Sequence, residues 1–213
     1  NNSSRPTQSQ ILLEIASSFT LFHDQDKVAY VFYDNEVIPI RSKVFKNLLG
    51  YKFYQEEGKA PHNEAINSVL NAIEGEALYN CRGIQLYNRV AKHENTLFYD
   101  LGKSKVVKIT ASDWSIIDAP ILFKRYNHHK LQVEPIRGGN PWEIFDFINI
   151  NSECQENRLL ILVYIISCFI PDIPHPIFHP HGPQGSAKTT IGKIIKRIVD
   201  PSELETIIIP RNS

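Results

Sequence analysis

The sequence predicts two regions of different fold class. Residues 9–137 are expected to form an α+β domain, with helices and a small antiparallel sheet, and residues 138–213 to form helices and the start of an α/β domain. Apolar residues recur at helical spacing over 11–22 and within 42–75, on either side of a hairpin pattern. Further short β-branched and aromatic runs follow between residues 84 and 123, and more helical segments lie beyond residue 140.

The N-terminal region is predicted to begin with a helix and continue into a β-hairpin. Apolar residues recur at helical spacing over 11–22, and Ser9 is placed to cap that helix. The runs 28–33 and 37–40 are rich in β-branched and aromatic residues and flank Asp34-Asn35-Glu36, which predicts two strands joined by a turn.

Two more helices are predicted between residues 42 and 75. Ser42 is expected to cap the first, which stops at Gly58, and Pro61 opens the second, which is expected to end at Gly75. The pair is interpreted as an ordinary helical hairpin, with a DNA-binding helix-turn-helix as the alternative. The second helix lacks the basic or amide-rich face that reads bases.

Five short runs after residue 84 predict an antiparallel meander: Leu86–Ala91, Thr96–Leu101, Lys105–Ile109, Trp114–Ile117 and Ile121–Phe123. Residues 124–140 are expected to be a loop that ends in a domain boundary at 137–140. Beyond it, three helices are predicted over 141–150, 153–170 and 187–199. The apolar run Leu159–Ile170 has twelve residues, fewer than the roughly 20 that span a membrane, so no membrane partner is expected.

The composition excludes several classes of protein. The chain has 23 Lys and Arg against 23 Asp and Glu, so its overall charge attracts neither nucleic acid nor anionic membrane, although residues 101–137 carry a net charge of +4 and residues 181–213 of +2. Its 3 Cys show no C-x-x-C spacing, which disfavours a disulfide scaffold and predicts a reducing, cytoplasmic location. Because the chain contains no Met, it is expected to be a piece of a longer protein.

The most specific motif runs from Gly182 to Thr189 and matches the phosphate-binding pattern G-x-x-x-x-G-K-[ST], except that Ala187 replaces the second glycine. Backbone N–H groups of such a loop, and of the helix that follows it, converge on phosphate oxygens. Lys188 is predicted to reach the β- and γ-phosphates, and the Thr189 hydroxyl to bind Mg²⁺. The predicted phosphate-binding residues are Gly182, Gly185, Ser186, Ala187, Lys188, Thr189 and Thr190.

Two expectations accompany this motif. The apolar stretch Pro176–Phe178 is expected to be the strand that leads into the loop, because a strand, a glycine-bearing loop and a helix form the usual phosphate-binding unit. Ala187 adds a methyl group but is expected to permit helical dihedral angles at this position, so the substitution weakens the pattern without destroying it.

The string from His181 to Thr190 resembles the P-loop of phage- and plasmid-borne ATPases, the primase-helicases, which are similar to superfamily-three and poxvirus-type helicases. The resemblance extends from about Ser9 to Arg211 through four further segments, at residues 41–45 with 53–54, 58–61, 113–114 and 137–139. It implies the start of an α/β P-loop NTPase domain with ATP and Mg²⁺ as cofactors. It also implies nucleic acid, with DNA expected, as the partner, and a homo-oligomeric ring for the full-length parent.

This resemblance also implies that hydrolysis needs an acidic residue on a later strand and an arginine from a neighbouring subunit. Asp200, Glu203 and Glu205 follow the P-loop helix too closely to be on that strand. The chain is therefore expected to be the N-terminal part of an ATPase that couples ATP binding and hydrolysis to nucleic-acid remodelling in replication, without being catalytically complete. The alternative is a non-enzymatic module that binds nucleic acid or protein and carries an incomplete P-loop.

Two other groups of residues are weighed as sites. The first is a set of candidates to contact nucleic-acid phosphates: His128 and His129 with Lys124, Arg125 and Lys130. Tyr126 offers a ring on which a base could stack, although a solvated loop is the favoured interpretation. The spacing of His175, His179 and His181 suggests zinc, but prolines interrupt it and no Cys, Asp or Glu lies beside the last two, so a loop is favoured.

Overall fold

Residues 6–126, 128–148, 150 and 155–205 are described by a computed structural model, and they form an α+β structure of five α-helices and two antiparallel sheets. The α+β prediction is therefore confirmed. One compact unit contains the residues up to Tyr87 together with Ile121–Arg125, and the other contains Asn88–Pro120 and the residues from Tyr126 on. The division of the sequence into 9–137 and 138–213, which follows composition, stays a prediction.

Helix α1 (Gln8–Ala16) of the first unit begins two residues earlier than a cap at Ser9 would place it. Thr7, not Ser9, is its N-cap, because the Thr7 hydroxyl accepts a hydrogen bond from the Gln10 amide while the Gln10 side chain accepts one from the Thr7 amide, at 2.8 Å. The helix stops at Ala16, so Phe22, which shares its helical spacing, lies instead in a strand.

A three-stranded antiparallel sheet follows, with strands in the order β1 (Thr20–His23), β2 (Ala29–Tyr33) and β3 (Glu36–Pro39). The predicted hairpin is confirmed as β2 and β3. Asp34 and Asn35, with φ of 50° and 60°, both adopt the left-handed conformation that a two-residue hairpin turn requires.

Helices α2 (Lys43–Glu57) and α3 (Asn63–Tyr79) complete this unit. Ser42 caps α2 and Gly58 ends it in the left-handed conformation, with φ of 67°, as predicted. The prediction that α3 ends at Gly75 is wrong: the helix continues to Tyr79 and buries Ala77 on its apolar side. The buried faces of α1, α2, α3 and the sheet share one core, which includes Leu12, Val31, Phe45, Leu49, Phe53 and Val69.

The second unit contains the predicted meander as four antiparallel strands in sequence order, β4 (Val90–His93), β5 (Thr96–Gly102), β6 (Lys105–Ile109) and β7 (Trp114–Asp118). The fifth predicted run does not join this sheet. Its residue Phe123 instead makes a single parallel bridge to Tyr87, and both residues belong to the first unit.

The C-terminal helices are a short 3-10 helix (Pro141–Asp146), α4 (Gln155–Ser167) and α5 (Lys188–Val199). The predicted start of α4 at residues 153–154 lies outside the described residues. Their shared core consists of Phe145, Ile148, Ile161, Ile165 and Ile195. Within the described part of the chain, no helix combines the length and apolar character that crossing a bilayer demands.

The expected strand over Pro176–Phe178 is not formed, although every residue from 168 to 187 is described. Pro174, Pro176 and Pro180 remove the N–H groups that a strand would donate to a neighbour. The side chain of Ile177 is 92% exposed, so this segment also lacks the burial that stabilises a strand leading into an α/β core.

Candidate functional site

The loop before α5 turns at three residues with positive φ: Gly182 (153°), Gly185 (82°) and Ala187 (55°). At Gly182 there is a second constraint, because a Cβ atom there would lie 2.9 Å from the Ser186 Oγ. The Ser186 amide closes a further turn by donating to the Pro183 carbonyl at 3.3 Å. Glycine at position 182 therefore permits both the backbone angle and the close approach of the loop to itself.

Ala187 is the N-cap of α5 and has the left-handed angles φ 55° and ψ 22°. The helical dihedral angles expected to be open to Ala187 are thus not the angles it adopts. Left-handed angles bring the Cβ of an L-residue close to backbone oxygen, at a cost of about 1–2 kcal/mol. This strain explains physically why the phosphate-binding pattern has glycine at this position.

The ammonium group of Lys188 folds back over the loop that precedes it. Its Nζ donates to the carbonyl oxygens of Gly182 at 2.9 Å and Pro183 at 2.8 Å, and to the Ser186 Oγ at 3.1 Å. These three oxygens belong to residues two to six positions earlier in the chain, so the loop must curl around the lysine to present them. The structure thus brings the predicted phosphate-binding lysine to the mouth of the predicted phosphate-binding loop.

The first turn of α5 presents Thr189 and Thr190, both of which are exposed. The N-cap supplies no side-chain hydrogen bond to this turn, and the turn contains no acidic residue. The first N–H groups of a helix have no partner within the helix, so they are suited to bind an anion. The described chemistry of the loop therefore fits a phosphate group.

A magnesium ion would find one protein ligand here, the Thr189 hydroxyl. Mg²⁺ commonly keeps several waters and takes its other oxygens from substrate phosphates, so a single hydroxyl fits a metal that arrives with a nucleotide. Across the described residues, no three His, Cys, Asp or Glu side chains are grouped closely enough to hold a metal on their own. His175, His179 and His181 are all exposed.

The opposite end of α5 is fastened to the four-stranded sheet by side chains that sequence reasoning missed. The Tyr99 hydroxyl donates to the Val199 carbonyl at 2.8 Å, and the Gln132 amide donates to the Ile198 carbonyl at 2.8 Å. The same amide also donates to the Tyr99 hydroxyl at 2.8 Å. The last carbonyls of a helix lack partners within it, and here the sheet and its following loop supply them. Burial raises the pKa of Tyr99, which keeps its donor proton in place.

Arg89 is 6% exposed and organises the residues after α5. Its Nε donates to Asp200 Oδ1 at 2.9 Å, and its terminal nitrogens donate to the carbonyl oxygens of Asp100, Lys130 and Pro201 at 3.1–3.2 Å. Asp200 also pairs with Lys196. Burial acts to raise the pKa of Asp200, but the hydrogen bonds from Lys196 and Arg89 outweigh it and hold that pKa below its ordinary value.

Of the three basic residues predicted to contact nucleic acid, Lys124 and Arg125 belong to the first unit and Lys130 to the second. Lys124 is committed to the interior of its unit: its Nζ lies 2.8 Å from Asp24 Oδ2 and 3.3 Å from Asp26 Oδ2. Asp24 is fully buried, and hydrogen bonds with it raise the pKa of Lys124. Lys130, by contrast, is exposed.

Two segments that carry the family resemblance do meet within the second unit. The Arg137 guanidinium lies over the Trp114 ring, 4.6 Å from its centroid, and an Arg137 Nη lies 2.7 Å from Asp113 Oδ1. A third contact, from the same guanidinium to the Trp114 carbonyl, is 2.6 Å long. These contacts fix the end of the loop that follows the sheet.

Comparison with known proteins adds no family assignment. No protein-family model matches the chain, and no curated protein matches it significantly. The resemblance of residues 181–190 to the P-loops of mobile-element primase-helicases therefore stays a prediction.

Proposed function

We propose that residues 182–190 bind the phosphates of ATP together with Mg²⁺, and that the chain is part of an ATPase that remodels nucleic acid, as the resemblance to mobile-element primase-helicases implies. The observation that supports this most directly is the position of Lys188. Its ammonium lies among Gly182, Pro183 and Ser186 oxygens at the first residue of α5, within a loop that turns at positive φ.

Each residue of the loop has a role in this proposal. Gly182 and Gly185 permit the turns, and the amides from Ala187 to Thr190 are the proposed donors to phosphate oxygens. The Ser186 amide joins them when it exchanges the Pro183 carbonyl for a phosphate oxygen. Lys188 exchanges its three loop oxygens for phosphate oxygens and neutralises their charge. The Thr189 hydroxyl supplies one ligand to a magnesium ion, which would offset the remaining negative charge of the triphosphate.

The proposal for these residues is nucleotide binding, and it does not extend to hydrolysis. Two of the carboxylates that follow the loop helix are already engaged: Asp200 by Arg89 and Lys196, and Glu205 by Lys193 and Arg197. A carboxylate that holds a metal or orients water must have an oxygen lone pair available for that purpose. The ion pairs of Asp200 and Glu205 serve instead to fix the end of α5.

A titration of the chain with a fluorescent ATP analogue in the presence of Mg²⁺ tests the proposal. Lys188→Ala is expected to weaken binding tenfold or more, because a charge-assisted hydrogen bond contributes about 1.5–3 kcal/mol. Lys193→Ala is the matched control, since it removes a lysine from the same helix at the cost of one surface ion pair, to Glu205 at 3.2 Å. Thr189→Val is expected to reduce the dependence of binding on Mg²⁺.

Circular dichroism melts of all three variants show whether a loss of binding is a loss of folding. Equal affinities of Lys188→Ala, Lys193→Ala and the unsubstituted chain for ATP, with each variant folded, would refute the proposal. The same holds if the unsubstituted chain does not bind ATP at all. The non-enzymatic nucleic-acid- or protein-binding module would then be the better assignment.

A further inference from the structure

We propose that a cavity in the second unit binds one unpaired base of a single-stranded nucleic acid. The cavity is lined by Asn88, Arg89, Tyr126, His128, His129 and Asp200, a set called here the base pocket. The proposal names a partner and a contact point for the proposed function and rests on that function for its biological setting. The features of the base pocket itself come from geometry that is independent of the phosphate loop.

The size of the base pocket suits a small planar group. Its volume is about 370 Å³, which lies in the range of 300–1,000 Å³ typical of small-ligand sites. Three of its six residues carry aromatic rings, and the other three carry groups that hydrogen-bond. This mixture of a mostly aromatic wall and a few polar groups is typical of sites that recognise a ring by its face and its edge.

The aromatic wall is preassembled. The rings of Tyr126 and His128 are stacked, with centroids 5.6 Å apart and planes 16° apart, and the His129 ring stands edge-on to both, at 4.9 Å from each. Tyr126 is 47% exposed, so part of this wall is open to solvent. Proteins that recognise single strands stack unpaired bases on such side chains, at about 1–3 kcal/mol for each base.

The floor of the base pocket is held by hydrogen bonds and is close to neutral in charge. Arg89 donates four hydrogen bonds to protein oxygens, and the charge of Asp200 is offset by Arg89 and Lys196. The floor therefore attracts neither a free anion nor a free cation strongly. Asn88 is exposed, and its amide makes no hydrogen bond to any described residue. An amide offers both a donor and an acceptor, which is the combination that the polar edge of a base requires.

Lys130 extends the base pocket toward a nucleic-acid backbone. It follows His129 directly, and its main chain is fixed at both polar groups: its amide donates to the Pro201 carbonyl at 3.0 Å, and its carbonyl accepts from Arg89 at 3.1 Å. Its side chain is exposed and pairs with no described carboxylate. A fixed position with a free ammonium beside an aromatic wall suits a phosphate next to a stacked base. Bases within a duplex are already paired and stacked, so an unpaired base is the ligand.

Fluorescence anisotropy with a labelled 12-nucleotide oligo-dA at low salt, without ATP, tests the proposal. Tyr126→Ala is expected to weaken binding about tenfold, in keeping with the loss of one stacked base. Tyr126→Phe, which keeps the ring, is expected to restore most of that affinity. Tyr79→Ala serves as the control, because Tyr79 is 87% exposed and belongs to the first unit.

Two further ligands show whether the bases of a strand, its backbone or a free nucleotide account for binding. An abasic oligonucleotide of the same length is expected to bind at least tenfold more weakly than oligo-dA, and AMP is expected not to displace oligo-dA at comparable concentrations. The proposal is overturned if Tyr126→Ala binds like the unsubstituted chain, if the abasic strand binds equally well, or if AMP competes as well as the oligonucleotide. Because the assay contains no ATP, its outcome is distinct from the outcome of the ATP titration.

Discussion

The Tyr99 hydroxyl donates a hydrogen bond of 2.8 Å to the Val199 carbonyl, and it thereby joins β5 to the last turn of α5 across 100 positions of sequence. The same hydroxyl accepts from the Gln132 side chain. The phosphate loop lies at the other end of α5, a helix of 12 residues and hence about 18 Å long. The position of the loop therefore depends on a contact that is remote from it.

Tyr99→Phe is expected to destabilise the second unit by about 1–2 kcal/mol. The substitution keeps the buried ring but removes one hydrogen bond from the partly buried Val199 carbonyl and one from the Gln132 amide, and a hydrogen bond contributes about 0.5–1.5 kcal/mol. Urea unfolding measures the change. Tyr54→Phe in α2 is the control. Because Tyr54 is exposed, loss of its hydroxyl should change the urea midpoint of unfolding little. Equal midpoints for the two variants would show that the Tyr99 hydroxyl does not hold α5.

Asp24→Asn is expected to destabilise the first unit by about 3 kcal/mol at neutral pH, because it removes one partner of a buried ion pair. The Asp24 carboxylate is fully buried and accepts from Lys124, from the amides of Asp26 and Val28 at 2.9 Å, and from the Tyr30 hydroxyl at 3.1 Å. Denaturant unfolding measures the loss. Asp118→Asn is the control, since Asp118 forms an exposed ion pair with Lys105.

The pH dependence of that loss gives an independent prediction. Burial acts to raise the pKa of Asp24, but hydrogen bonds from Lys124 and the two amides hold it below its ordinary value of 3.8. A carboxylate with a lowered pKa stabilises the fold above the unfolded-state pKa, and this contribution is lost as the pH falls through the folded-state value. The difference in unfolding free energy between the unsubstituted chain and Asp24→Asn should therefore shrink between pH 5 and pH 2. A difference that stays constant with pH would contradict this interpretation.

Ala187→Gly is expected to stabilise the second unit by up to about 1.5 kcal/mol. Relief of left-handed strain contributes about 1–2 kcal/mol, and the greater freedom of glycine in the unfolded chain offsets about 0.4–1 kcal/mol of it. Thermal unfolding of Ala187→Gly and Ala187→Val measures the effect in both directions, because a β-branched residue at φ 55° should destabilise the fold. A lower melting temperature for the glycine variant would rule out strain at this position.

Gly75→Ala is expected to stabilise the first unit by about 0.5–1 kcal/mol. Gly75 lies inside α3 with no positive φ, and an added Cβ would have no atom within 4 Å, so alanine gains helix propensity without a clash. Gly58→Ala is the contrasting variant, because Gly58 ends α2 at φ 67° and should lose stability on the same substitution. If both substitutions destabilise equally in urea, α3 ends at Gly75, as the sequence pattern suggested.

The sequence predicts those parts of the fold that local chemistry determines. Ser42 and Gly58 bound α2 because capping and left-handed angles are properties of single residues, and Lys105–Ile109 was found with correct ends because turn residues flank it. Prediction failed where two local patterns compete. Phe22 continues the helical spacing of α1 but lies in β1, where it pairs with Tyr30 of β2, a contact that the spacing does not encode.

For the candidate site, too, the sequence predicts the local part and misses the long-range contacts. The motif places Gly182, Gly185 and Lys188 because the pattern encodes a loop geometry that is local to eight residues. It does not give the left-handed angles of Ala187, and it wrongly implies a strand before the loop. Arg89 and Asp200 are 111 positions apart, so no spacing rule connects them. Contacts of this kind, which also form the floor of the base pocket, are visible only once the chain is folded.

Asp200 is at once the C-cap of α5 and a residue of the base pocket, while Lys188 begins the same helix. A single helix therefore joins the proposed sites for a phosphate and for a base. Any factor by which ATP changes the affinity for a single strand must equal the factor by which the strand changes the affinity for ATP, because the two occupancies form one closed thermodynamic cycle. Measuring either ligand's affinity with the other at saturation gives that coupling constant, and agreement between the two measurements is an internal check on both.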